Sequence, residues 1–281
     1  MSLSIYNFIW KLLEFILPSY LERRKNNGKE DIHRIHERYG TSKKNRPSGT
    51  LVWLHASSVG ETVAALALAN SMRKNGYGDK DNEYFLLTTN TLSAAKLIKD
   101  KIKKGLPAIH QYHPYDHPKF VSKFLKHWQP NIAVFLESDF WPNLIYLTTK
   151  TKIPTILASS QMSEKSARFW SGIGVFLAKK TFGNVNQVLA VDPKQADLFK
   201  RLGAKNIKSL TSLKSIAEKP IINQNYIHNI KKNLVKKKIL LAASTHPGEE
   251  ELMIKLANLL RQNAEDKILI IIAPRHIKRS L

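Results

Sequence analysis

The sequence contains no cysteine, which excludes disulfide bonds, thiolate catalysis and cysteine-ligated zinc. It also lacks the motifs GxGxxG and GxxxxGK[ST], so no motif supports a dinucleotide site or a P-loop nucleotide site. No uninterrupted apolar run reaches the roughly 20 residues that a clean transmembrane helix needs. Acidic residues are also scarce, because 22 Asp plus Glu stand against 45 Lys plus Arg.

The resulting formal charge of +23 favours contact with anionic partners such as phospholipid headgroups, phosphorylated substrates or nucleic acid. The basic residues are spread along the chain, and a biased composition produces the same excess. No basic helix interleaved with aromatic residues supports nucleic-acid binding, which therefore rests on charge alone. We expect an anionic membrane surface or substrate as the partner, and no nucleic acid.

The most apolar segment is residues 1–25, which contain Lys11, Glu14 and Pro18 and end in the basic run Arg23 to Lys25. Two charges inside about 17 apolar residues argue against a clean transmembrane span. We interpret the segment as a membrane-anchor helix that lies in or dips into the bilayer, with Tyr6, Trp10 and Tyr20 at headgroup depth. The alternative is a core helix packed on the body of the protein.

After a basic polar arm (26–48), apolar runs alternate with amphipathic segments. The predicted strands are 51–55, 84–89, 131–137, 154–159, 187–191 and 206–210. Strands that are apolar on both faces and separated by helices indicate a parallel sheet covered on two sides. We therefore predict an α/β protein with a complete Rossmann-like domain over residues 49–212.

A polar stretch follows residue 212, and a second strand, helix and strand begin at residue 238. One such unit cannot form a doubly wound sheet by itself. We assign 213–281 to a linker and the start of an incomplete Rossmann-like domain. Either a second polypeptide completes that domain or the chain is a fragment.

Glu61 stands where the first strand gives way to a helix, in the stretch LVWLHASSVGET. Ser58 is suited to cap that helix, and Gly60 permits close approach of a substrate. The carboxylate is either a partner of the helix dipole or a general base at the carboxyl edge of the sheet. Position alone does not decide between these roles.

Glu137 repeats this placement at the end of the third predicted strand, followed by Asp139 and Trp141. These side chains favour contact with a polar ligand; alternatively, Asp139 caps the next helix and Trp141 packs on the sheet edge. The histidine-rich stretch 110–117 invites a metal interpretation, but its spacing has no helical register. We therefore predict no metal site.

The second unit carries polar residues at its strand ends. Ser244, Thr245 and His246 lie between strand and helix, where backbone N–H groups suit a phosphate. Arg275 follows the last strand and offers a fixed cation for a phosphate or carboxylate.

Several short motifs, in order and separation, resemble those of the 3-deoxy-D-manno-octulosonic acid (Kdo) transferases of lipopolysaccharide assembly. The motifs are ERYG (37–40), HASSVGE (55–61), ESDFWPN (137–143), GAKN (203–206), STHPGEE (244–250) and PRH (274–276). The resemblance spans essentially the whole chain. It implies a GT-B glycosyltransferase at the cytoplasmic face of the bacterial inner membrane, whose amino-terminal half binds a lipid A precursor and whose carboxyl-terminal half binds CMP-Kdo.

The resemblance also implies roles for individual residues. Glu61 matches the catalytic carboxylate that deprotonates the acceptor hydroxyl, and Glu137 matches the second acidic position. Arg275 and Lys214 would hold the charges of the CMP phosphate and the Kdo carboxylate, so neither metal nor cofactor is implied. The family's further nucleotide-binding segments have no counterpart in this chain. The alternative function is therefore a non-catalytic remnant or subunit that binds membrane or acceptor.

Overall fold

The computed structural model describes residues 1–76, 82–210, 212–213, 224–234, 238–262 and 268–275. The chain divides into two compact units, Met1–Glu218 and Lys219–Leu281. Both units are built from parallel strands and helices, which confirms the α/β class.

The first unit is organised around a seven-stranded sheet in the order β3-β2-β1-β4-β5-β6-β7, and every neighbouring pair is parallel. Its strands are β1 (Thr50–His55), β2 (Glu83–Thr89), β3 (Ala108–Tyr112), β4 (Ile132–Leu136), β5 (Thr155–Ser160), β6 (Gln187–Ala190) and β7 (Ile207–Ser209). The order reverses between β1 and β4, as in doubly wound dinucleotide-binding folds.

Helices cover both faces of this sheet. They are α1 (Leu3–Asn26), α2 (Val59–Lys74), α3 (Leu92–Lys103), α4 (Pro118–Trp128), α5 (Pro142–Lys150), α6 (Glu164–Ser171), α7 (Val175–Phe182) and α8 (Pro193–Arg201). Successive residues of β1 alternate between two cores: Trp53 packs in the cluster that includes α4, α5 and α7, whereas Val52 and Leu54 pack in the cluster that includes α2 and α3. Burial on both faces explains why the strands are apolar throughout.

The six strands predicted for this unit are confirmed, but β3 was missed. Its sequence, AIHQY, lacks the continuous apolar character of the other strands. The polar side chains are nevertheless buried, because His110 pairs with Thr89 at 2.8 Å and Gln111 accepts a 2.6 Å hydrogen bond from the Trp128 indole. Tertiary hydrogen bonds thus replace the apolar pattern that would have revealed the strand.

Helix α1 packs on the first unit through one face. Tyr6 donates a 2.8 Å hydrogen bond to Asp116, Trp10 contacts Tyr115, and Leu17 is buried. The expectation that Tyr6 and Trp10 point towards lipid headgroups is therefore wrong, since both contact protein. The opposite face leaves apolar side chains exposed, with Ile5, Phe8, Leu12, Phe15 and Ile16 all more than half accessible. Among the helices that the structure describes, none combines the length and apolar character needed to cross a bilayer.

The basic arm contains a 3₁₀ helix (Ile32–Tyr39) that lies against the edge strand β3. Arg38 is almost completely buried and forms an ion pair with Glu30, which also pairs with Arg24 of α1. Glu37 accepts a 2.7 Å hydrogen bond from the Tyr112 N–H. The arm therefore covers the exposed sheet edge and joins α1 to it.

The second unit contains α9 (Gln224–Asn233), β8 (Lys238–Thr245), α10 (Glu249–Gln262) and β9 (Ile268–Pro274). Strands β8 and β9 form a parallel two-stranded sheet, and α10 is the crossover between them. Several apolar side chains of this unit remain exposed, including Leu241, Leu252 and Leu259. The predicted strand, helix and strand of this unit are confirmed.

Candidate active site

The candidate active site lies at the carboxyl edge of the seven-stranded sheet, where the strand order reverses between β1 and β4. These strands are hydrogen-bonded neighbours, so the segments that follow them, 56–61 and 137–141, emerge side by side. Open parallel sheets bind ligands in the crevice at this reversal. Both carboxylates predicted from the sequence border this crevice, Glu61 in the first turn of α2 and Glu137 in the loop after β4.

Glu61 is the third residue of α2 and completes a capping box with Ser58. The Glu61 Oε2 atom accepts hydrogen bonds from the backbone N–H groups of Ser57 at 2.6 Å and Ser58 at 3.1 Å, and the Ser58 hydroxyl accepts from the Glu61 N–H. The dipole-partner role considered from the sequence is thus present. Both N–H groups donate to Oε2, and the other carboxylate oxygen, Oε1, has no hydrogen-bond partner among the described residues.

The surroundings of Glu61 raise the pKa of its carboxyl group. Burial raises its pKa, and the nearby negative charge of Asp139 acts in the same direction. The N–H groups of Ser58 and Ser57 and the neighbouring His55 oppose this shift, but the net pKa is above the ordinary 4.5. The carboxylate is therefore held in one orientation while its affinity for a proton is increased.

Ser58 and Gly60 lie at the start of α2, where both residues are exposed. Ser58 is the N-cap, as the sequence predicts. Gly60 is inside the first helical turn and adds no side chain between the helix terminus and solvent. The first turn is thus open to a ligand on the side next to Glu61.

Glu137 adopts a backbone conformation that is rare for a residue with a side chain. Its φ is +60°, it is buried, and its N–H donates a 2.9 Å hydrogen bond to the Ala158 carbonyl. Ser159 at the end of β5 has a φ of +52°, so two adjacent strands end in the left-handed region. Such conformations cost about 1–3 kcal/mol and concentrate at functional sites.

A hydrogen-bonded His55–Asp139 pair joins the end of β1 to the loop after β4. The His55 Nε2 atom is 2.9 Å from Asp139 Oδ2, and its Nδ1 atom is 2.8 Å from the Thr88 hydroxyl. Burial opposes ionisation of Asp139, yet the hydrogen bond from His55 and the electrostatic interaction with His55 outweigh it and lower the Asp139 pKa. Within this pair, Asp139 raises the pKa of Glu61, whereas His55 acts in the opposite direction.

His113 lies against His55, with 5.2 Å between the ring centroids, and is fully buried. Burial, reinforced by His55 and Arg38, lowers its pKa to about 3, so the ring is neutral. From the sequence, His113 was a candidate only as a metal ligand, and no motif connected His55 with Asp139. The signal for that pair was the position of both residues at the ends of β1 and β4, which become neighbours only through the strand order.

Asp116 stabilises the start of α5, a role that the sequence analysis considered for Asp139. The N-cap position of α5, Trp141, makes no side-chain cap, and Asp116 instead accepts hydrogen bonds from the N–H groups of Asn143 and Leu144 at 2.9 and 2.7 Å. The capping alternative for Asp139 is therefore wrong. Within the described ranges, no three His, Asp or Glu residues are arranged to hold a metal ion.

Four of the predicted donor-binding residues lie in the second unit: Ser244, Thr245, His246 and Arg275. The Arg275 N–H donates to the Thr245 carbonyl at 3.1 Å, which joins the loop after β9 to the loop after β8. Ser244 has a φ of +60°, and the first turn of α10 carries three glutamates. Two of these accept hydrogen bonds from the Thr245 hydroxyl and the His246 N–H. Lys214 lies outside the described residues, and the phosphate-binding role of the loop stays a prediction.

The family model and the curated relatives agree on one family. Residues 33–217 match the model of the 3-Deoxy-D-manno-octulosonic-acid transferase (kdotransferase) family. The 3-deoxy-D-manno-octulosonic acid transferase of Rickettsia bellii is 33% identical over 99% of this chain and 64% of its own length. The enzyme of that name from Haemophilus influenzae is 28% identical over 88% of this chain and 57% of its own length.

Among solved structures, a UDP-GlcNAc 2-epimerase from Methanocaldococcus jannaschii superposes with a TM-score of 0.48 at 13% identity, covering 82% of this chain and 75% of its own. The chain spans roughly three-fifths of the length of the two curated relatives above, since it covers 64% and 57% of them. The family model nevertheless covers the arm from residue 33 onwards and the entire sheet of the first unit. The chain therefore belongs to the 3-deoxy-D-manno-octulosonic acid transferase family.

Proposed function

We propose that this protein is an inverting glycosyltransferase that transfers Kdo from CMP-Kdo to a lipid A precursor, with Glu61 as the general base. One observation carries the proposal: the Glu61 carboxylate is anchored by two backbone N–H groups at the strand-order reversal, and burial raises its pKa. A carboxylate with a raised pKa accepts a proton more readily than an ordinary glutamate does.

In the proposed reaction, Glu61 removes the proton from the primary hydroxyl of the acceptor sugar. The hydroxyl oxygen then bonds to the anomeric carbon of Kdo, and the bond from that carbon to the CMP phosphate breaks, which releases CMP with inversion. The oxygen that accepts the proton is Oε1, because Oε2 already holds the Ser57 and Ser58 N–H groups. The exposed first turn around Gly60 leaves room for the acceptor.

Glu137 is proposed to orient the acceptor or donor from the opposite side of the crevice. Its positive φ fixes the direction of the loop after β4. In the second unit, Ser244, Thr245, His246 and Arg275, together with Lys214, are proposed to bind the donor. In a complete GT-B enzyme, fixed cations at these positions stabilise the negative charge of the departing nucleoside monophosphate.

The exposed face of α1 is proposed to contact the membrane that supplies the acceptor. Phe8 is 60% and Phe15 is 84% exposed, and basic residues follow at the end of the helix. Apolar area combined with basic charge favours anionic bilayers at the cytoplasmic face of the inner membrane.

The alternative is a remnant or subunit that binds membrane or acceptor without donor chemistry. The exposed apolar residues of the second unit, including Leu241, Leu252 and Leu259, favour this alternative or completion by a second chain. Under this alternative the chain retains acceptor binding and gives no glycolipid product.

The test is to incubate the purified chain with CMP-Kdo and a tetraacyl disaccharide bisphosphate, and to detect glycolipid by mass spectrometry. Glu61→Gln is the test variant. Glu164→Gln is the matched control, because Glu164 is also in the first turn of a helix but lies at α6. Product from the wild type and from Glu164→Gln, with none from Glu61→Gln, supports the transferase. Acceptor binding without product from the wild type supports the alternative.

A further inference from the structure

A continuous series of hydrogen bonds leads from the end of α1 to the Glu61 carboxylate. Arg24 pairs with Glu30 at 2.7 Å, and Glu30 pairs with Arg38 at 3.0 Å. The Arg38 Nη2 atom donates to the Asn90 carbonyl at 2.7 Å. We name the part of this series from Arg24 to Asn90 the Arg38 tether.

The series continues through the backbone of two loops at the carboxyl edge of the sheet. The Asn90 N–H, in the loop after β2, donates to the Ser57 carbonyl at 3.2 Å. The Ser57 N–H in turn donates to Glu61 Oε2 at 2.6 Å. Asn90 therefore links Arg38 to the segment that orients Glu61. Its carbonyl accepts a hydrogen bond from Arg38, and its N–H donates one to Ser57.

Arg38 also holds the loop after β3. Its Nη1 atom donates to the His113 carbonyl at 3.3 Å, and the Tyr115 N–H donates back to the Arg38 carbonyl at 3.0 Å. His113 contacts His55, whose partner Asp139 raises the pKa of Glu61. One guanidinium therefore connects the loops that follow β2 and β3. The first loop is bonded to the segment that orients the Glu61 carboxylate, and the second contacts the His55–Asp139 pair that influences the Glu61 pKa.

The burial of Arg38 sets it apart from an ordinary structural ion pair. The residue is 1% exposed, and its carboxylate partner Glu30 is 7% exposed. A buried ion pair is weak evidence for stability, because the cost of removing both charges from water offsets much of their attraction. The planar guanidinium supplies what a lysine does not, namely several donors in fixed directions to Glu30 and to two carbonyls at once.

We infer that Arg38 is a positioning residue for the proposed reaction: it fixes the loop peptides that orient the Glu61 carboxylate. The inference rests on the proposed function for its catalytic consequence, but the coupling between Arg38 and Glu61 is measurable without turnover. Glu30 and Arg24 hold the guanidinium from the other side. The end of α1 is consequently part of the same hydrogen-bonded series as the proposed base.

The test variant is Arg38→Lys, which keeps a positive charge beside Glu30 but cannot reach both loop carbonyls. Arg46→Lys is the matched control. Arg46 also joins loops by donating to the carbonyls of Trp128 and Gly49, but these lie at the amino ends of the strands. If Arg38→Lys fails to fold, the double variant Glu30→Gln/Arg38→Gln is used in its place, because it removes both buried charges together.

Two readouts do not depend on activity. Amide hydrogen exchange at Ser57, Ser58 and Asn90 should accelerate by about tenfold or more in Arg38→Lys. Without the hydrogen bonds of the Arg38 tether, local opening of these loops costs less free energy. The Glu61 pKa, measured by NMR of the labelled carboxyl group, should rise, because the N–H groups that lower it are held less firmly. Both quantities should stay at wild-type values in Arg46→Lys.

The kinetic readout then distinguishes positioning from general stability. A positioning role predicts that kcat falls by about tenfold or more while the KM for acceptor is unchanged. Wild-type exchange and wild-type Glu61 titration in a folded Arg38→Lys protein would overturn the inference, even if transfer depends on Glu61. Conversely, full activity of Glu61→Gln would refute the proposed function and the catalytic role of Arg38 with it.

Discussion

The backbone N–H of Ser57 donates a 2.6 Å hydrogen bond to the Glu61 carboxylate four residues later. This bond turns the carboxylate back across the first turn of α2, where Ser58 completes the capping box. The same contact therefore begins the helix and orients the proposed base. Stability and activity are separable here, because glutamine preserves an acceptor for the N–H groups whereas it cannot take up a proton.

The capping box predicts a difference between two adjacent serines. Ser58→Ala should lower the free energy of unfolding by about 1 kcal/mol, since it removes the side-chain acceptor at the helix start. Ser57→Ala should leave it nearly unchanged, because Ser57 acts through its backbone. Urea unfolding of both variants measures the difference. Equal destabilisation would contradict the assignment of Ser58 as the cap.

The buried histidine of the edge strand predicts a dependence of stability on pH. Burial and the nearby Arg34, Lys44 and Arg38 hold the His110 pKa well below 6.5. The unfolded chain therefore takes up a proton that the folded protein refuses, so the free energy of unfolding falls as pH drops below about 6.5. His110→Gln should reduce this slope by at most about 1.4 kcal/mol per pH unit. Identical slopes for variant and wild type would show that His110 is not the source.

The hydrogen bond from Tyr6 to Asp116 predicts that α1 contributes to the stability of the first unit. Tyr6→Phe should destabilise the protein by about 1–3 kcal/mol, because it leaves a fully buried carboxylate without one of its donors. Tyr146→Phe on α5 is the control, since its hydroxyl has no hydrogen-bond partner among the described residues. Thermal unfolding compares the two. Equal effects would mean that α1 is not fastened by this bond.

The exposed face of α1 predicts binding to anionic vesicles. Phe15→Ser should weaken the partition coefficient by about tenfold to 100-fold, since a phenylalanine side chain leaving water contributes about 1.5–3 kcal/mol. Ile32→Ser is the control: Ile32 is 55% exposed but lies on the arm. Vesicle sedimentation gives both values. Unchanged binding by Phe15→Ser would exclude this face as the membrane contact.

The sequence predicted best the features that depend on neighbouring residues in the chain, namely the strands and the start of α2. Strands apolar on both faces predicted the parallel sheet, and the serine and glutamate after β1 predicted the capped helix. The edge strand escaped because His110 and Gln111 are buried by hydrogen bonds to Thr89 and Trp128, which no local pattern reveals.

Parts of the site that depend on contacts between distant segments were also missed. His55 and Asp139 meet only because β1 and β4 are neighbours in the sheet. Asp116 reaches the start of α5 from the loop after β3, so the local candidate Asp139 was the wrong cap. In each case the residue type was visible in the sequence, but its partner was set by the strand order.

Glu61 is the proposed base, and the turnover rate of Glu61→Gln against wild type, at saturating CMP-Kdo and acceptor, tests this role. Acceptor affinity is measured in parallel by equilibrium binding. The account predicts that kcat falls by at least about 100-fold, as expected for loss of a general base, while acceptor binding is unchanged. A kcat for Glu61→Gln equal to that of the wild type would contradict it.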